Sequence, residues 1–198
     1  MREYNSRGKY AQRVLGFAQP RQPKRMATQS NPLVDDALVD FLLYSVLDAE
    51  SLCELEGYRQ HSKQTFDLYI DSVRRFSRQD LLATYKPMDE EPPVFRDGRI
   101  HTHPALPALY AQMIELGVLT ATRPESVGGQ QMPMLVHTMA SAYLMAANLS
   151  AYGYVGLTLG AGHLIEAFGS DEVKERFLAR MYEGEWTGTM ALTEPQAG

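Results

Sequence analysis

The sequence has only one cysteine, Cys53, among its 198 residues. An internal disulfide is therefore impossible, and the cysteine sets that hold structural zinc are excluded. This cysteine usage is typical of a reducing compartment, so we expect a cytoplasmic protein. A phosphate-binding P-loop is also excluded, because no Gly-Lys-Ser/Thr follows Gly128-Gly129.

Excess positive charge is absent as well, because the net charge is −5. This argues against a domain that binds nucleic acid by bulk charge. The charge is unevenly placed. Residues 1–25 hold seven of the 19 basic residues and one of the 24 acidic ones, which leaves 12 basic and 23 acidic residues, net −11, in residues 26–198. A transit peptide or a polyanion-binding arm would suit the basic segment, but its low apolar content favours an unstructured tail. We expect residues 1–30 to be a basic, disordered extension, with Met26 as a candidate natural start.

Charge of either sign is missing from residues 126–165. A membrane span needs ~20 consecutive apolar residues, and Gln130, His137, Asn148 and several glycines interrupt the run. The many alanines and serines of this stretch suit a helix packed on all sides. We therefore expect no membrane span, but two central helices of an all-α bundle, broken near Tyr152-Gly153.

Helical spacing of apolar residues predicts the other helices. The first begins at Pro32 with Asn31 as its N-cap, and another covers Leu106–Leu116 and stops at Gly117. The segment Leu52–Leu82 is predicted to bury Phe66, Tyr69, Ile70, Val73 and Phe76 and to leave Arg74, Arg75 and Arg78 solvated. A last helix follows Gly169, with Ser170 as its cap and Val173, Phe177 and Leu178 as its buried face.

Residues 85–104 are rich in proline and are predicted to be a loop, with a short hairpin at Val94–Ile100 turned by Asp97-Gly98. His101 and His103 form a His-x-His pair, but no third ligand lies nearby in the sequence. A solvated loop is therefore favoured over a metal site, and we expect no metal.

The pattern changes after Gly184. From Trp186 to Thr193, the larger apolar residues alternate with threonines, which is the period of a β-strand. A lone strand has no ladder partner and is not stable by itself. The alternation therefore suggests the first strand of a separate β-domain.

The stretch 184–198, Gly-Glu-Trp-Thr-Gly-Thr-Met-Ala-Leu-Thr-Glu-Pro-Gln-Ala-Gly, resembles the signature of the flavin-dependent acyl-CoA dehydrogenases. In that family an aromatic or Met residue and two small or apolar residues precede Thr-Glu-Pro-x-Ala-Gly-Ser-Asp. The segment 169–178 and the Gly-Gly-Gln at 128–130 also resemble the family. The residues around Trp186 are similar to those of the larger bacterial branch that includes 3-methylmercaptopropionyl-CoA dehydrogenases. The resemblance to the family covers about residues 31–198.

The resemblance implies an all-α fold, in which residues 31–184 form the N-terminal helical domain and residues 185–198 begin the middle β-domain. It implies α,β-dehydrogenation of an acyl-CoA thioester with FAD as cofactor. It further implies electron transfer to a redox protein such as electron transfer flavoprotein, and a homo-oligomer. An alternative is a flavoprotein of the same fold that protects DNA and takes no part in fatty-acid turnover.

The resemblance also implies the site residues. Met190, Leu192, Thr193 and Gly198 would contact the flavin. Leu159 and His163 would line the acyl pocket, although a satisfied core histidine suits His163 equally well, and Tyr152, Tyr154 and Leu157 are further candidates. Glu194 belongs to a turn and is not expected to be the base. The family's catalytic carboxylate matches no residue here, so no catalytic residue is assigned and the chain alone is expected to be inactive.

Overall fold

A computed structural model describes residues 34–196, and this part of the chain is mainly helical, as predicted. Asn31, Pro32, Gly198 and the basic extension lie outside the described residues. The α-helices are α1 (Asp36–Asp40), α2 (Lys63–Phe76), α3 (Tyr85–Glu90), α4 (Leu106–Glu115), α5 (Met134–Phe168) and α6 (Asp171–Tyr182), and the strands are β1 (Val94–Arg96) and β2 (Arg99–His101). Single π-helical segments extend α1 (Phe41–Val46) and α2 (Ser77–Leu81), and 3₁₀ turns lie at Ala49–Glu54, Glu56–Tyr58, Leu82–Thr84 and Glu125–Val127.

Helix α5 is the centre of the bundle, because α2, α4 and α6 all pack against it. The side chains at the heart of the core are fully buried, and they come from α2, α4 and the first half of α5: Phe66, Val73, Met113, Val136, Ala140, Tyr143 and Leu144. Apolar burial of this extent is the main source of stability for a domain of this size.

Helix α2 confirms the predicted stripe, since Phe66, Tyr69, Ile70, Val73 and Phe76 are all buried. Its predicted start at Leu52 is wrong. Ser62 and Thr65 form a capping box that begins the α-helix at Lys63, and residues 49–58 form 3₁₀ turns instead.

The prediction of a solvated arginine face on α2 holds for Arg75 but is wrong for Arg74 and Arg78. Asp36 on α1 accepts hydrogen bonds from Arg78 at 2.6 and 2.9 Å and lies 3.3 Å from Arg74. Tyr143 of α5 also donates to Asp36, at 2.8 Å. Burial raises the pKa of Asp36, but the hydrogen bonds from Arg78 and Tyr143 and the charge of Arg74 outweigh it and lower that pKa. This carboxylate therefore joins three helices.

Replacing Asp36 with asparagine should lower the free energy of unfolding by about 2 kcal/mol, because two half-buried arginines and a tyrosine lose a charged acceptor. Urea unfolding at neutral pH measures the change. The matched control is Asp40→Asn, which removes an exposed carboxylate from the same helix and should stay within ~0.5 kcal/mol of the parent. Equal stabilities for the two variants would contradict the role of Asp36.

The predicted loop 85–104 is partly wrong, because residues 85–90 form helix α3. Pro87 is tolerated there because N–H groups of the first turn have no intrahelical partner. The hairpin is confirmed: Val94 pairs with His101 and Phe95 with Ile100. Asp97 (φ 54°) and Gly98 (φ 74°) make the two-residue turn, which requires positive φ at both positions.

His103 corrects the expectation of a solvated His-x-His loop, since its side chain is only 15% exposed. Its Nδ1 accepts a hydrogen bond from the Ala105 N–H at 3.2 Å. His101 is exposed on β2, as expected. Within residues 34–196, no group of three His, Cys, Asp or Glu side chains could hold a metal ion.

Helix α4 confirms the predicted stop at Gly117. Gly117 adopts φ 73°, and its N–H donates to Ile114 O at 2.9 Å while the Val118 N–H donates to Met113 O at 3.1 Å. This pair of bonds is the Schellman motif, and its left-handed residue favours glycine.

Helix α5 confirms two helical segments, but the predicted break at Tyr152-Gly153 is wrong. The kink lies at Asn148, whose φ of −162° is not helical. The Asn148 Oδ1 accepts from the Ala151 N–H at 3.0 Å, so this side chain caps the second segment, and its amide donates to Thr84 at 3.1 Å. In the described part of the chain, no helix has the length and apolarity that a membrane crossing needs.

Helix α6 confirms Gly169 as the stop of α5 and Ser170 as the N-cap, because the Ser170 hydroxyl accepts from the Val173 N–H. Its predicted buried face is only partly correct. Val173, Phe177 and Leu178 are half-buried, whereas Met181 and Tyr182 are the buried residues of this helix.

The predicted strand at 186–193 does not form in the structure, where these residues are irregular. The physical reason is the one that applies to any isolated strand. A strand is stabilised by the hydrogen bonds of a neighbouring strand, and none lies beside these residues in the described chain.

Candidate functional site

The second half of α5 leaves an apolar stripe uncovered. Its buried face consists of Ala151, Val155, Thr158 and Gly162, which point into the bundle. A different side of the same helix exposes large apolar side chains at helical spacing: Tyr154 (36%), Leu157 (43%), Leu164 (62%) and Phe168 (82%). Contiguous apolar surface of this kind marks a binding surface rather than a solvated face.

The segment that follows α6 docks on this half of α5. Gly184 turns the chain with φ 78°, and the N–H groups of Glu185 and Trp186 donate to Arg180 O at 2.9 and 3.2 Å. The Trp186 ring lies 5.7 Å from the Phe177 ring, and the Arg180 guanidinium lies 4.7 Å from the indole. The Gly188 N–H then donates to the Thr158 hydroxyl at 3.0 Å.

Beyond Gly188 the chain leaves the helical surface. Met190 is 64% exposed and Leu192 is 76% exposed, and Thr193 is exposed as well. The backbone N–H groups of Met190, Ala191 and Leu192 donate no hydrogen bond within residues 34–196. Within the described residues, the segment thus presents unpaired backbone donors and exposed apolar side chains just beyond the point where Gly188 contacts α5.

A polar cluster fastens α6 and the 120–123 turn to α5. Arg123 donates to Glu166 at 3.0 Å, and the Tyr182 hydroxyl donates to the same carboxylate oxygen. Burial raises the pKa of Glu166, but the bonds from Tyr182 and Arg123 outweigh it and keep that carboxylate ionised. Helix α6, from which the docked segment continues, is therefore held against α5 by hydrogen bonds to Glu166.

His163 lies beside this cluster. Burial, and then the charge of Arg123, lower the pKa of the imidazole, so it is neutral at physiological pH. Its Nε2 is buried and has no hydrogen-bond partner within the described residues. Among the described residues, Nε2 therefore lacks the partner that a satisfied core histidine, the alternative considered from the sequence, would have.

The structure brings some predicted site residues together and separates others. Met190, Leu192 and Thr193 lie together on the stretch that follows the docked Gly188, and Gly198 lies outside the described residues. Leu159 is half-buried against the core and His163 lies one turn further along α5. Ala161, which contacts Gly188, is two positions from both, so Leu159 and His163 point to a different side of the helix from Ala161.

These features suit a flat, partly polar ring better than an ion. Consecutive N–H groups that are unpaired in the described chain and the Thr193 hydroxyl can bond ring oxygens, while Met190, Leu192 and the α5 stripe offer apolar contact. The donor set contains no cluster of metal ligands in the described chain. The residues present therefore fit one edge of a flavin site.

Comparison with known proteins decides the family. The family model for the N-terminal domain of acyl-CoA dehydrogenases matches residues 64–185, which is more than half of the chain. The chain belongs to the acyl-CoA dehydrogenase family. The larger bacterial branch suggested by the sequence is represented among its relatives, since the chain is 33% identical over 160 residues to the 3-methylmercaptopropionyl-CoA dehydrogenase of Ruegeria pomeroyi.

Other relatives carry the same family name. The chain is 30% identical over 164 residues to a butyryl-CoA dehydrogenase of Syntrophomonas wolfei, a match that covers 81% of this chain and 27% of that protein. The Ruegeria match covers 79% of this chain and 27% of the relative, so the chain spans about a quarter of the length of these relatives.

The fold agrees with that of an acyl-CoA dehydrogenase. The solved structure of butyryl-CoA dehydrogenase from Megasphaera elsdenii superimposes with a TM-score of 0.55 at 22% identity, over 70% of this chain and 34% of that one. This confirms the predicted helical N-terminal domain. The relatives compared are named as dehydrogenases, and the DNA-protective alternative finds no support among them.

Two residues that matter to this site were missed from the sequence. In the sequence, Thr158 is one more position in an uncharged helix, and Gly188 is a small residue within a strand pattern. The single available signal was the glycine itself, because a glycine inside a strand pattern often marks a close backbone approach.

Proposed function

We propose that this chain supplies the helical domain and one flavin-contacting edge of an FAD-dependent acyl-CoA dehydrogenase that forms a double bond between Cα and Cβ of an acyl-CoA thioester. One observation carries the proposal most directly. The stretch that resembles the family's flavin motif leaves its docking point on α5 with exposed apolar side chains and with backbone N–H groups that have no partner among residues 34–196. Gly198 is proposed to continue this edge.

FAD, when bound, supplies the hydride acceptor for this chemistry. The residues of this chain would hold and orient the ring. Backbone N–H groups of residues 190–192 and the Thr193 hydroxyl would donate to its polar edge, at about 1 kcal/mol each. Met190, Leu192 and the apolar stripe of α5 would keep water from it.

The acyl group is proposed to contact Leu159 and His163 of α5. The His163 imidazole is kept neutral by burial and by Arg123, and its buried Nε2 has no partner in the described chain. It could therefore exchange a hydrogen bond with a polar atom of the thioester without adding a positive charge. Family membership is the support for the acyl-CoA substrate, for an electron-accepting partner such as electron transfer flavoprotein, for a homo-oligomer and for a cytoplasmic location.

Residue-resolved NMR tests the proposal, because a polypeptide of 22.2 kDa is small enough for this method. FAD added to the ¹⁵N-labelled chain should shift the amide signals of residues 189–194 and of the second half of α5. ADP, which lacks the isoalloxazine ring, is the control and should leave residues 190–193 unchanged. A medium-chain acyl-CoA should shift the amides near Leu159 and His163.

Binding by this chain alone is expected to be weak, because it offers only part of the contacts a flavin needs. NMR shift mapping detects weak binding, so weak affinity does not make the test ambiguous. FAD shifts confined to other surfaces, or equal shifts with ADP and FAD at 190–193, would overturn the proposal.

A further inference from the structure

We infer that Thr158 and Gly188 are positioning residues for the flavin-contacting segment: their contact sets where residues 189–194 leave α5. That the segment contacts a flavin rests on the proposed function. That Thr158 and Gly188 fix the segment on α5 rests on the geometry of these two residues.

Gly188 lies against α5 at a distance that admits no side chain. A Cβ built on Gly188 would meet the Ala161 Cβ at 2.5 Å, the Thr158 Cα at 3.1 Å and the Leu157 carbonyl oxygen at 3.2 Å. Two of these three atoms belong to the backbone of the helix and cannot move aside as a flexible side chain could. Any larger residue must therefore push the segment outward.

Thr158 provides the complementary polar contact. The residue is fully buried, and its hydroxyl donates to the Tyr154 carbonyl oxygen at 2.6 Å. Because its only proton is used there, the hydroxyl oxygen faces Gly188 as an acceptor, and the Gly188 N–H donates to it at 3.0 Å. Loss of this acceptor would leave the Gly188 N–H without its partner.

The contact acts on the residues that follow because, among the described residues, no hydrogen bond or ring contact ties residues 189–193 to the helices. Trp186 is held by Arg180 and Phe177, Gly188 is held by Thr158, and Met190 and Leu192 are exposed. The Thr158–Gly188 contact is therefore the last point at which the described structure fixes the segment on α5, and it sets where Met190 and Leu192 leave that helix.

The test uses the full chain and its single tryptophan, Trp186, which lies two residues before Gly188. Gly188→Ala and Thr158→Val should each red-shift the Trp186 emission, raise its quenching by acrylamide at least twofold, and move the amide signals of residues 187–194. Thr158→Ser keeps the hydroxyl and should show the parent behaviour in all three readouts. Far-ultraviolet circular dichroism should stay the same in all variants that fold.

Gly160→Ala is the matched control, because a Cβ at Gly160 of the same helix would meet nothing within 4 Å. It should leave Trp186 and residues 187–194 unchanged. If Thr158→Val does not fold, Gly188→Ala alone decides, since Gly188 lies outside the helices.

Unchanged Trp186 emission and unchanged 187–194 amides in Gly188→Ala would overturn the inference, as would an equal response in Gly160→Ala. These outcomes need no flavin and leave the proposed function standing. FAD shifts absent from the parent chain would overturn the proposed function, while the tryptophan result would still decide the positioning role. With FAD present, we expect the shifts at residues 189–194 to weaken at least threefold in both displaced variants.

Discussion

The 198-residue polypeptide, purified by itself and mixed with FAD, is expected to show no reduction of the flavin when acyl-CoA is added. The loss of a positioned general base alone lowers a rate by ~100-fold or more. Abstraction of the α-proton needs a carboxylate that is both close to the substrate and ready to accept a proton. We expect no residue of this chain to meet both conditions.

The charges of the described residues support this expectation. The carboxyl groups of Asp36, Asp67 and Glu166 are each partly buried, which raises their pKa, but cationic and hydroxyl partners outweigh burial and lower it. Carboxylates stabilised in this way are weak bases. They are also occupied, because Arg78, Lys63 and Arg123 respectively pair with them.

Anaerobic spectra of FAD at 450 nm, with butyryl-, octanoyl- and palmitoyl-CoA, measure the outcome. A bleach faster than that of free FAD would contradict the prediction. In that event Glu194→Gln separates two explanations: a lost bleach would identify Glu194, an exposed residue of the segment, as the base. A retained bleach would place the base elsewhere in the chain.

The second large effect is an acid sensitivity that we expect His137 to create. This residue of α5 is 4% exposed, its Nδ1 lies 2.9 Å from the Tyr69 hydroxyl, and its Nε2 lies 3.4 Å from the Ser141 hydroxyl. Burial, and then the charges of His163 and Arg123, lower the pKa of His137 from 6.5 to about 4. The folded chain therefore holds this imidazole neutral.

The direction of the effect follows from proton linkage. Between pH 6.5 and about 4, the unfolded chain binds a proton at His137 that the folded chain does not bind. The contribution of His137 to the free energy of unfolding is therefore fully present above pH 6.5 and is lost as the pH falls through this range. At 1.36 kcal/mol for each pKa unit, the loss approaches about 3 kcal/mol near pH 4.

Urea unfolding at pH 7.0, 6.5, 6.0 and 5.5 measures the onset of the loss, before protonation of the carboxylates in the unfolded chain contributes. The variant His137→Asn cannot titrate and should show a much flatter profile. His101→Asn removes an exposed histidine and should keep the parent profile. A steep profile in His137→Asn would show that another group, with His163 as the first to examine, carries the acid sensitivity.

Much of this protein follows from its sequence alone. The apolar spacing of α2, the stop at Gly117, the Ser170 cap and the Asp97-Gly98 turn depend on contacts between near neighbours in the chain, and each was predictable from a few residues. The family also follows from a short stretch, because the motif at 184–198 keeps its residue types in order.

The tertiary structure alone decided the rest, because the deciding partners lie far apart in the sequence. Arg74 and Arg78 are held by Asp36, more than 35 residues away, so helical periodicity could not distinguish them from the solvated Arg75. The α5 kink lies at Asn148 because Thr84 and the Ala151 N–H use its amide side chain. The segment 186–193 lacks strand structure because a ladder needs a neighbour, and it is placed instead by Gly188 meeting Thr158, 30 residues away.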